Sequence, residues 1–172
     1  MFGNLVTYIK RRRWLKITLE IVIILAVFLS IRAWQTRTVV QGDAPVIVDQ
    51  LITGEQVDLR NYRGKPLLVY FWAEWCPVCK MVDDKVDAIA RDYAVITISS
   101  WPESDEAVLT YLQEQELKMP VIVDNQGQWA AAYGIRGVPA SFIVDQNGVI
   151  QFMESGYTTE TGLRLRLWWL EK

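Results

Sequence analysis

Two cysteines, Cys76 and Cys79, are the residues of this sequence whose types and spacing could do chemistry, and the chain contains no others. Its 172 residues include no histidine. This excludes an imidazole acid–base catalyst, a Ser-His-Asp triad and a His-ligated zinc site. Two thiolates are also too few for a four-thiolate zinc site within one chain. The chemistry that remains is a structural disulfide, a soft-metal site or a redox-active dithiol.

The position of the C-x-x-C motif favours the redox dithiol. The motif follows a continuous apolar run at 66–72, typical of a buried strand, and we expect a helix from Pro77 to about Tyr93. A disulfide that closes so short a loop would add little stability. At the start of a helix, Cys76 would face unpaired N–H groups that favour its thiolate, and Pro77 fits the first turn. We therefore expect Cys76 to attack a substrate disulfide and the more buried Cys79 to resolve the mixed disulfide.

The pattern of this helix predicts which of its side chains are buried. One face carries the apolar residues Val82, Val86, Ile89 and Ala90, and most of the charged residues are expected elsewhere: Asp83, Asp84, Asp87 and Arg91.

The rest of residues 43–172 alternates between strand-like and helix-like segments. Strands are expected at 46–51, 56–59, 66–72, 94–99, 120–124, 141–145 and 149–154, the last two joined by an Asn147-Gly148 turn. Further helices are expected at 105–116 with Ser104 as N-cap, at about 129–133, and from Thr158 or Thr159 to near Glu171. This order indicates an α/β domain with a mixed central sheet.

The N-terminal part of the chain differs in charge from the rest. Residues 1–37 carry seven basic side chains against one acidic, a net charge of +6, and residues 38–172 carry a net charge of -8. An acidic body argues against a nucleic-acid partner. An apolar run at 17–31 lies between Lys16 and Arg32, with tryptophans on both sides. It is shorter than a full membrane span, but flanking aromatic and basic side chains extend such a segment.

These features predict the domain organisation and the topology. We expect a cytoplasmic basic leader at 1–16, a transmembrane signal anchor at 17–34, a tether at 35–42 and a catalytic domain at 43–172. The excess of basic residues before the apolar run places the N-terminus inside the cell. A cleaved signal peptide, a buried core helix and a twin-arginine export signal at 11–16 are the alternatives. Residues 30–38 show no small-x-small cleavage site, the flanking charges argue against a core helix, and nothing in the sequence needs export with a bound cofactor.

Two segments of the chain resemble the thioredoxin family. FWAEWCPVCKM (71–81) is similar to the thioredoxin active-site segment, and YGIRGVPASFIVD (133–145) is similar to the segment that carries the cis-proline. Residues 42–79 resemble the membrane-anchored TlpA, ResA and DsbE group, and the Cys-Pro-Val-Cys motif and compact length resemble its suppressor-for-copper-sensitivity D branch. The resemblance implies a thioredoxin fold with an N-terminal β-hairpin and a central insertion.

The resemblance also implies roles for individual residues. It makes Pro139 the cis-proline beside the dithiol and gives the backbone of Val138 to the substrate chain. Trp75, Pro77 and Val78 are expected to contact the substrate as well. No cofactor or metal is implied. The implied partners are protein disulfides and a DsbD- or ScsB-like membrane electron donor, at the inner membrane of a bacterium with the catalytic domain in the periplasm.

The sequence departs from the family at three positions. Tyr70 replaces the buried aspartate of thioredoxins, Val82 replaces a glutamate of ResA-like proteins, and Ala140 replaces the glutamate that often follows the cis-proline. The carboxylate that relays the proton of Cys79 is therefore expected to be missing, with a water or Glu74 in its place. Ala140 also weakens the case for apocytochrome c as substrate.

Two other functions compete with dithiol exchange as interpretations of the sequence. Met81 and the two thiols could form a Cu(I) site, which would make the protein a membrane-tethered copper-binding or redox-chaperone module without turnover. A peroxiredoxin needs Thr or Ser three residues before its reactive cysteine and Pro four residues earlier. Ala73 and Val69 occupy those positions, so this function is rejected.

Overall fold

A computed structural model describes residue 16 and residues 19–27 and 41–172 of the chain. Residues 19–27 are helical and belong to a separate unit from the compact body, which begins at Val40. Most of the predicted leader, both ends of the predicted anchor and most of the tether lie outside the described residues. Within the described ranges, no helix is both long enough and apolar enough to cross a membrane.

The body is built on a six-stranded mixed sheet. In spatial order its strands are β1 (Gly42–Asp43), β8 (Val149–Ser155), β7 (Ala140–Val144), β4 (Leu67–Trp72), β5 (Ala94–Ser100) and β6 (Val121–Asp124). β4 pairs in parallel with β5 and antiparallel with β7, and β5 pairs in parallel with β6. The predicted first hairpin forms separately from β2 (Val48–Gln50) and β3 (Gln56–Asp58). The mixed sheet expected from the sequence is confirmed.

The short strand β1 was not predicted. Gly42, the last residue of the predicted tether, pairs with Ile150, and Asp43 pairs with Val149. Two residues carry no readable alternation of polar and apolar side chains, so only the pairing with β8 reveals this strand.

Four helices surround the sheet: α1 (Asp83–Ile89), α2 (Asp105–Glu114), α3 (Gln128–Ala132) and α4 (Glu160–Leu170). Ser104 caps α2 as predicted, since its hydroxyl accepts a 3.1 Å hydrogen bond from the N–H of Ala107. Thr159, one of the two expected caps, is the N-cap of α4. α2 and β6 occupy the part of the chain where the resemblance implied an insertion.

The helix predicted from Pro77 to Tyr93 is wrong in its extent. Cys79–Met81 form a 3-10 turn, and α1 begins only at Asp83, after Val82 adopts φ -121°. The α-helix also ends at Ile89, after which the N–H groups of Arg91 and Asp92 form the tighter i→i−3 bonds. Cys76 thus precedes a short 3-10 turn and not a long helix.

Apolar side chains fill both faces of the sheet. On one face, residues of β4 such as Tyr70 and Trp72 pack in one buried cluster with α1, α2 and α4. On the other face, Phe71, Tyr133 and Phe142 form an aromatic cluster, with ring centroids 4.9 to 5.8 Å apart. Helices therefore cover both faces, as the thioredoxin-like α/β fold requires.

The predicted distribution of charge on α1 is wrong for two residues. Asp83 and Asp87 are buried, at 1% and 5% exposure. The carboxylate of Asp87 accepts a 2.6 Å hydrogen bond from the N–H of Lys118 and pairs with Arg91 at 3.2 Å. α2 and the segment after it also contact α1. These contacts bury part of α1 outside its apolar face.

Candidate active site

Cys76 and Cys79 are joined by a disulfide bond at the carboxyl end of the central strand β4. Their Cα atoms are 5.3 Å apart, as two residues of one tight turn can be. Three residues lead from Trp72 to Cys76, and the N–H of Cys76 donates a 3.1 Å hydrogen bond to the carbonyl of Ala73. The rigid strand thereby fixes the position of the first sulfur.

The two cysteines differ in exposure in the direction that the sequence predicted. Cys79 is fully buried, whereas Cys76 retains 4% of its surface. Any partner that reaches the disulfide must therefore meet the Cys76 sulfur. The backbone N–H of Cys79 also points at this sulfur, with a nitrogen–sulfur distance of 3.2 Å. When the bond is reduced, such a donor favours the Cys76 thiolate over the thiol, so a local N–H group supplies the stabilisation that was predicted from a long helix.

The segment before β7 closes the other side of the disulfide. The Val138–Pro139 peptide bond is cis, as the resemblance implied. The carbonyl oxygen of Val138 lies 3.6 Å from the Cys76 sulfur. Pro139 is buried, and Val138 is partly exposed. The structure thus brings together Cys76, Cys79, Val138 and Pro139. The first and last of these are 63 positions apart in the sequence.

Exposed side chains form a rim around the buried disulfide. Trp75 is 47% exposed and Val78 is 38% exposed, and Pro77 between them is exposed as well. Trp75 is nevertheless held in place, because its indole N–H donates a 2.9 Å hydrogen bond to the carbonyl of Trp101. The three predicted substrate-contacting side chains therefore lie on the open side of the dithiol, where a partner protein could touch them.

Glu74 connects the redox loop to a neighbouring loop of the fold. One of its carboxylate oxygens accepts a 2.7 Å hydrogen bond from the N–H of Glu103. Together with the bond from Trp75 to Trp101, this contact ties the segment before Cys76 to the loop after β5. The second carboxylate oxygen of Glu74 is buried and has no hydrogen-bond partner within the described protein. Glu74 thus positions the redox loop.

Sequence reasoning missed a buried carboxyl group, Asp83, four residues after Cys79. Its two oxygens accept hydrogen bonds from the hydroxyls of Tyr70, at 2.8 Å, and Tyr111, at 2.7 Å. Both tyrosines pack in the same buried cluster as Cys79. Burial raises the pKa of Asp83 to about 6, although the two tyrosine hydroxyls favour its charged form. The pKa values of Tyr70 and Tyr111 are also raised, mainly by burial.

Two signals in the sequence could have located Asp83. Tyr70 stands in the middle of the apolar run 66–72, where a buried hydroxyl needs a hydrogen-bond partner. Asp83 follows Cys79 at i+4, which places both on one side of a helix. A helical aspartate beside a buried cysteine, with a tyrosine on the neighbouring strand, therefore forms a recognisable pattern.

The ligands of the copper alternative differ in exposure. Met81 is 56% exposed, whereas Cys79 is fully buried in the oxidised protein. Among the described residues, no group of three or more cysteine, aspartate or glutamate side chains could hold a metal ion. The arrangement instead suits electron exchange: one accessible sulfur, one buried sulfur and a buried carboxyl group close to the turn that carries them.

Comparisons with known proteins agree with this geometry. The sequence is 29% identical over 124 residues to the thiol-disulfide oxidoreductase ResA of Bacillus thuringiensis, covering 69% of this chain and 71% of that protein. It is 24% identical over 152 residues to the thiol:disulfide interchange protein DsbE of Escherichia coli, covering 77% and 82%. The crystal structure of a protein from Chlorobium tepidum described as a DsbE-type thiol:disulfide interchange protein superposes with a TM-score of 0.70, at 22% identity and 78% and 99% coverage.

The comparisons also show the family. The sequence model of the AhpC/TSA family matches residues 40–153, which include both cysteines and the cis-proline. The relatives of the ResA and DsbE type are thiol–disulfide oxidoreductases, so the enzyme class predicted from the sequence is confirmed. The chain belongs to the AhpC/TSA family and is similar to thiol–disulfide oxidoreductases of the ResA and DsbE type.

Proposed function

We propose that this protein is a membrane-tethered periplasmic enzyme that reduces disulfides in other proteins through the Cys76–Cys79 dithiol. The observation that carries the proposal is the place of the Cys76–Cys79 disulfide beside a cis-proline, with the N–H of Cys79 aimed at the sulfur of Cys76, the slightly more exposed of the two residues. A reductant is favoured over a strong oxidant because the motif has no histidine between its cysteines. Protein disulfides are the substrates of this proposal.

The reaction is a two-step exchange that transfers two electrons. The Cys76 thiolate attacks one sulfur of the substrate disulfide, forms a mixed disulfide and expels the first substrate thiolate. The Cys79 thiolate then attacks the Cys76 sulfur, and the second substrate thiolate leaves. The substrate is reduced, and the enzyme is left with the Cys76–Cys79 disulfide that the structure contains.

For the second step, Cys79 must lose a proton in a buried environment. We infer that Asp83 accepts it, in place of the water or Glu74 considered from the sequence. Asp83 is buried, has a raised pKa and accepts hydrogen bonds from two tyrosines of the cluster that contains Cys79. A carboxyl group with a pKa of about 6 is a suitable base near neutral pH.

The tethering and the electron source are further parts of the proposal. The apolar run 17–31 within the predicted anchor 17–34, with its basic N-terminal flank, supports a single-pass anchor with the body outside the cytoplasm. In an oxidising compartment the dithiol stays oxidised unless a membrane donor reduces it, and a DsbD- or ScsB-like transporter has the required chemistry. The suppressor-for-copper-sensitivity resemblance supports a role in copper tolerance or periplasmic redox homeostasis.

Equilibration of the full-length protein with glutathione or dithiothreitol buffers tests the proposed direction of electron transfer. The expected reduction potential lies toward the thioredoxin end of the scale, about −270 mV. A potential near about −120 mV, at the strongly oxidising end, would contradict the reductant role. Alkylation of reduced Cys76 by a membrane-impermeant maleimide in intact spheroplasts tests the topology, since a cytoplasmic body would remain unlabelled.

A further inference from the structure

Two further large apolar side chains are exposed in segments that lie near the redox site. Met81, the last residue of that turn, is 56% exposed, and Tyr157, between β8 and α4, is 54% exposed. The two residues are 76 positions apart in the sequence. Large apolar side chains with this exposure, adjacent to a reactive group, are typical of a binding surface.

Lys85 connects the backbone of Met81 with the ring of Tyr157. Its ammonium group donates hydrogen bonds to the carbonyl of Met81 and to the carboxylate of Asp84, and it lies 5.9 Å from the centre of the Tyr157 ring. A cation at that distance is attracted by the face of the ring. The side chain of Lys85 therefore bridges α1 and the segment after β8.

The backbone beside Tyr157 is fixed, although its ring is exposed. The N–H of Gly156 donates a 2.9 Å hydrogen bond to the carbonyl of Pro139, which connects this segment directly to the cis-proline. On the other side, the hydroxyl of Thr158 donates a 2.6 Å hydrogen bond to Glu154. The ring is thus held in an exposed position next to the redox site, which lowers the entropy cost of binding a partner.

The distance from the reactive sulfur defines what this surface can contact. Met81 lies five positions after Cys76 along a tightly turning backbone, a path of about 8 to 10 Å. An extended substrate chain covers about 3.3 Å per residue, so this distance corresponds to roughly three residues. Because Cys76 is only 4% exposed, a substrate cysteine must approach closely, and its flanking residues then meet the surrounding surface.

We propose that Met81, Lys85 and Tyr157 form a subsite for an apolar side chain about three residues from the reacting cysteine of an extended substrate segment. The proposal deepens the proposed function, on which it rests, by naming a sequence preference of the substrate. Its occupant is a flexible or partly unfolded protein, since a folded one would seldom present such a segment in extended form.

Two pairs of disulfide-linked peptides test the proposal with the full-length, reduced enzyme. In each pair, one peptide carries Leu and the other Ser, three residues before the reacting cysteine in the first pair and three residues after it in the second. The expected result is a kcat/KM preference for Leu of about tenfold in one of the two pairs. In the double variant Met81→Ser/Tyr157→Ser, this preference should fall to about one, because the apolar contact is lost.

The double variant Leu109→Ser/Leu165→Ser is the matched control, since it removes two exposed leucines from α2 and α4. It should keep the preference for Leu. If the parent enzyme reduces all four peptides without preference, or if the control loses the preference as well, the subsite is refuted while the proposed function stands. If the parent enzyme reduces none of them, the proposed function fails, and the subsite fails with it.

Discussion

Tyr70 donates a 2.8 Å hydrogen bond from the central strand to the carboxylate of Asp83 at the start of α1. Tyr111 of α2 donates a second bond, of 2.7 Å, to the other oxygen of the same carboxylate. A buried carboxyl group with two hydroxyl donors therefore connects three elements beneath the turn that carries Cys79. This arrangement has consequences for both stability and catalysis.

Asp83 makes the stability of the fold depend on pH. Its pKa is about 6 in the folded protein and 3.8 as a free side chain, so the folded state binds the proton more tightly. The resulting stabilisation is complete below pH 3.8 and is lost as the pH rises through 6, and it amounts to at most about 3 kcal/mol. In the variant Asp83→Asn, the free energy of unfolding should not show this decrease between pH 4 and 7.

Urea unfolding of the oxidised full-length protein, followed by tryptophan fluorescence, measures this difference. The matched control is Asp84→Asn, because Asp84 is the exposed neighbour on the same helix. The control should keep most of the decrease seen in the parent, because burial raises the pKa of Asp83 more than the charge of Asp84 does. Parallel pH profiles for the parent and Asp83→Asn would show that Asp83 does not have a raised pKa in the folded state.

The resolving step should also depend on Asp83. The reduced enzyme releases one aromatic thiolate from Ellman's reagent when Cys76 attacks and a second when Cys79 attacks the mixed disulfide. Asp83→Asn should slow the second release about 100-fold near pH 7, because the proton of Cys79 loses its acceptor. The first release should remain fast. Stopped-flow absorbance separates the two phases, and an unchanged second phase would mean that another group accepts the proton.

Sequence patterns predicted the redox site well where the chemistry is local. The unequal roles of Cys76 and Cys79 follow from a C-x-x-C motif between an apolar run and a helix-like segment, and the structure has the corresponding difference in burial. The cis form of the Val138–Pro139 bond came from the family resemblance alone, since spacing carries no information about it.

The misses share a physical cause, which is tertiary contact. Asp83 and Asp87 were expected away from the buried face, because the spacing of apolar residues identifies only one buried face of a helix. In the folded chain, α1 also meets Tyr111 of α2 and the backbone of Lys118, and these contacts satisfy both carboxylates. The helix was predicted too long for a related reason, because the tight turn around the disulfide replaces the first α-helical turn with 3-10 geometry.

Gly127 should be sensitive to substitution because of its contact with the loop that holds Trp75. A Cβ atom at this position would lie 2.1 Å from the indole nitrogen of Trp101, and the residue has φ +69°. Gly127→Ala should therefore force the Trp101 ring to move and destabilise the protein by about 1 to 3 kcal/mol. Gly64 also has positive φ but has open space around it, so Gly64→Ala serves as the control for backbone strain alone.

Thermal unfolding of both alanine variants measures this prediction. The loss of stability should be larger for Gly127→Ala, and the difference between the two variants reports the steric contact with Trp101. Because the carbonyl of Trp101 accepts the hydrogen bond from Trp75, Gly127→Ala should also change the alkylation rate of reduced Cys76. Equal losses of stability would mean that the Trp101 ring makes room at no cost.

The most direct test of the central claim is the capture of mixed disulfides in cells. Cys79→Ala leaves Cys76 able to attack but removes the resolving thiol, so covalent complexes between Cys76 and partner proteins should accumulate and disappear on reduction. Cys76→Ala, the matched variant, should capture none, because the remaining sulfur is buried. The account predicts discrete disulfide-linked partners with Cys79→Ala alone. The absence of such complexes while Cys76 still reacts with maleimide, or equal capture by both variants, would contradict it.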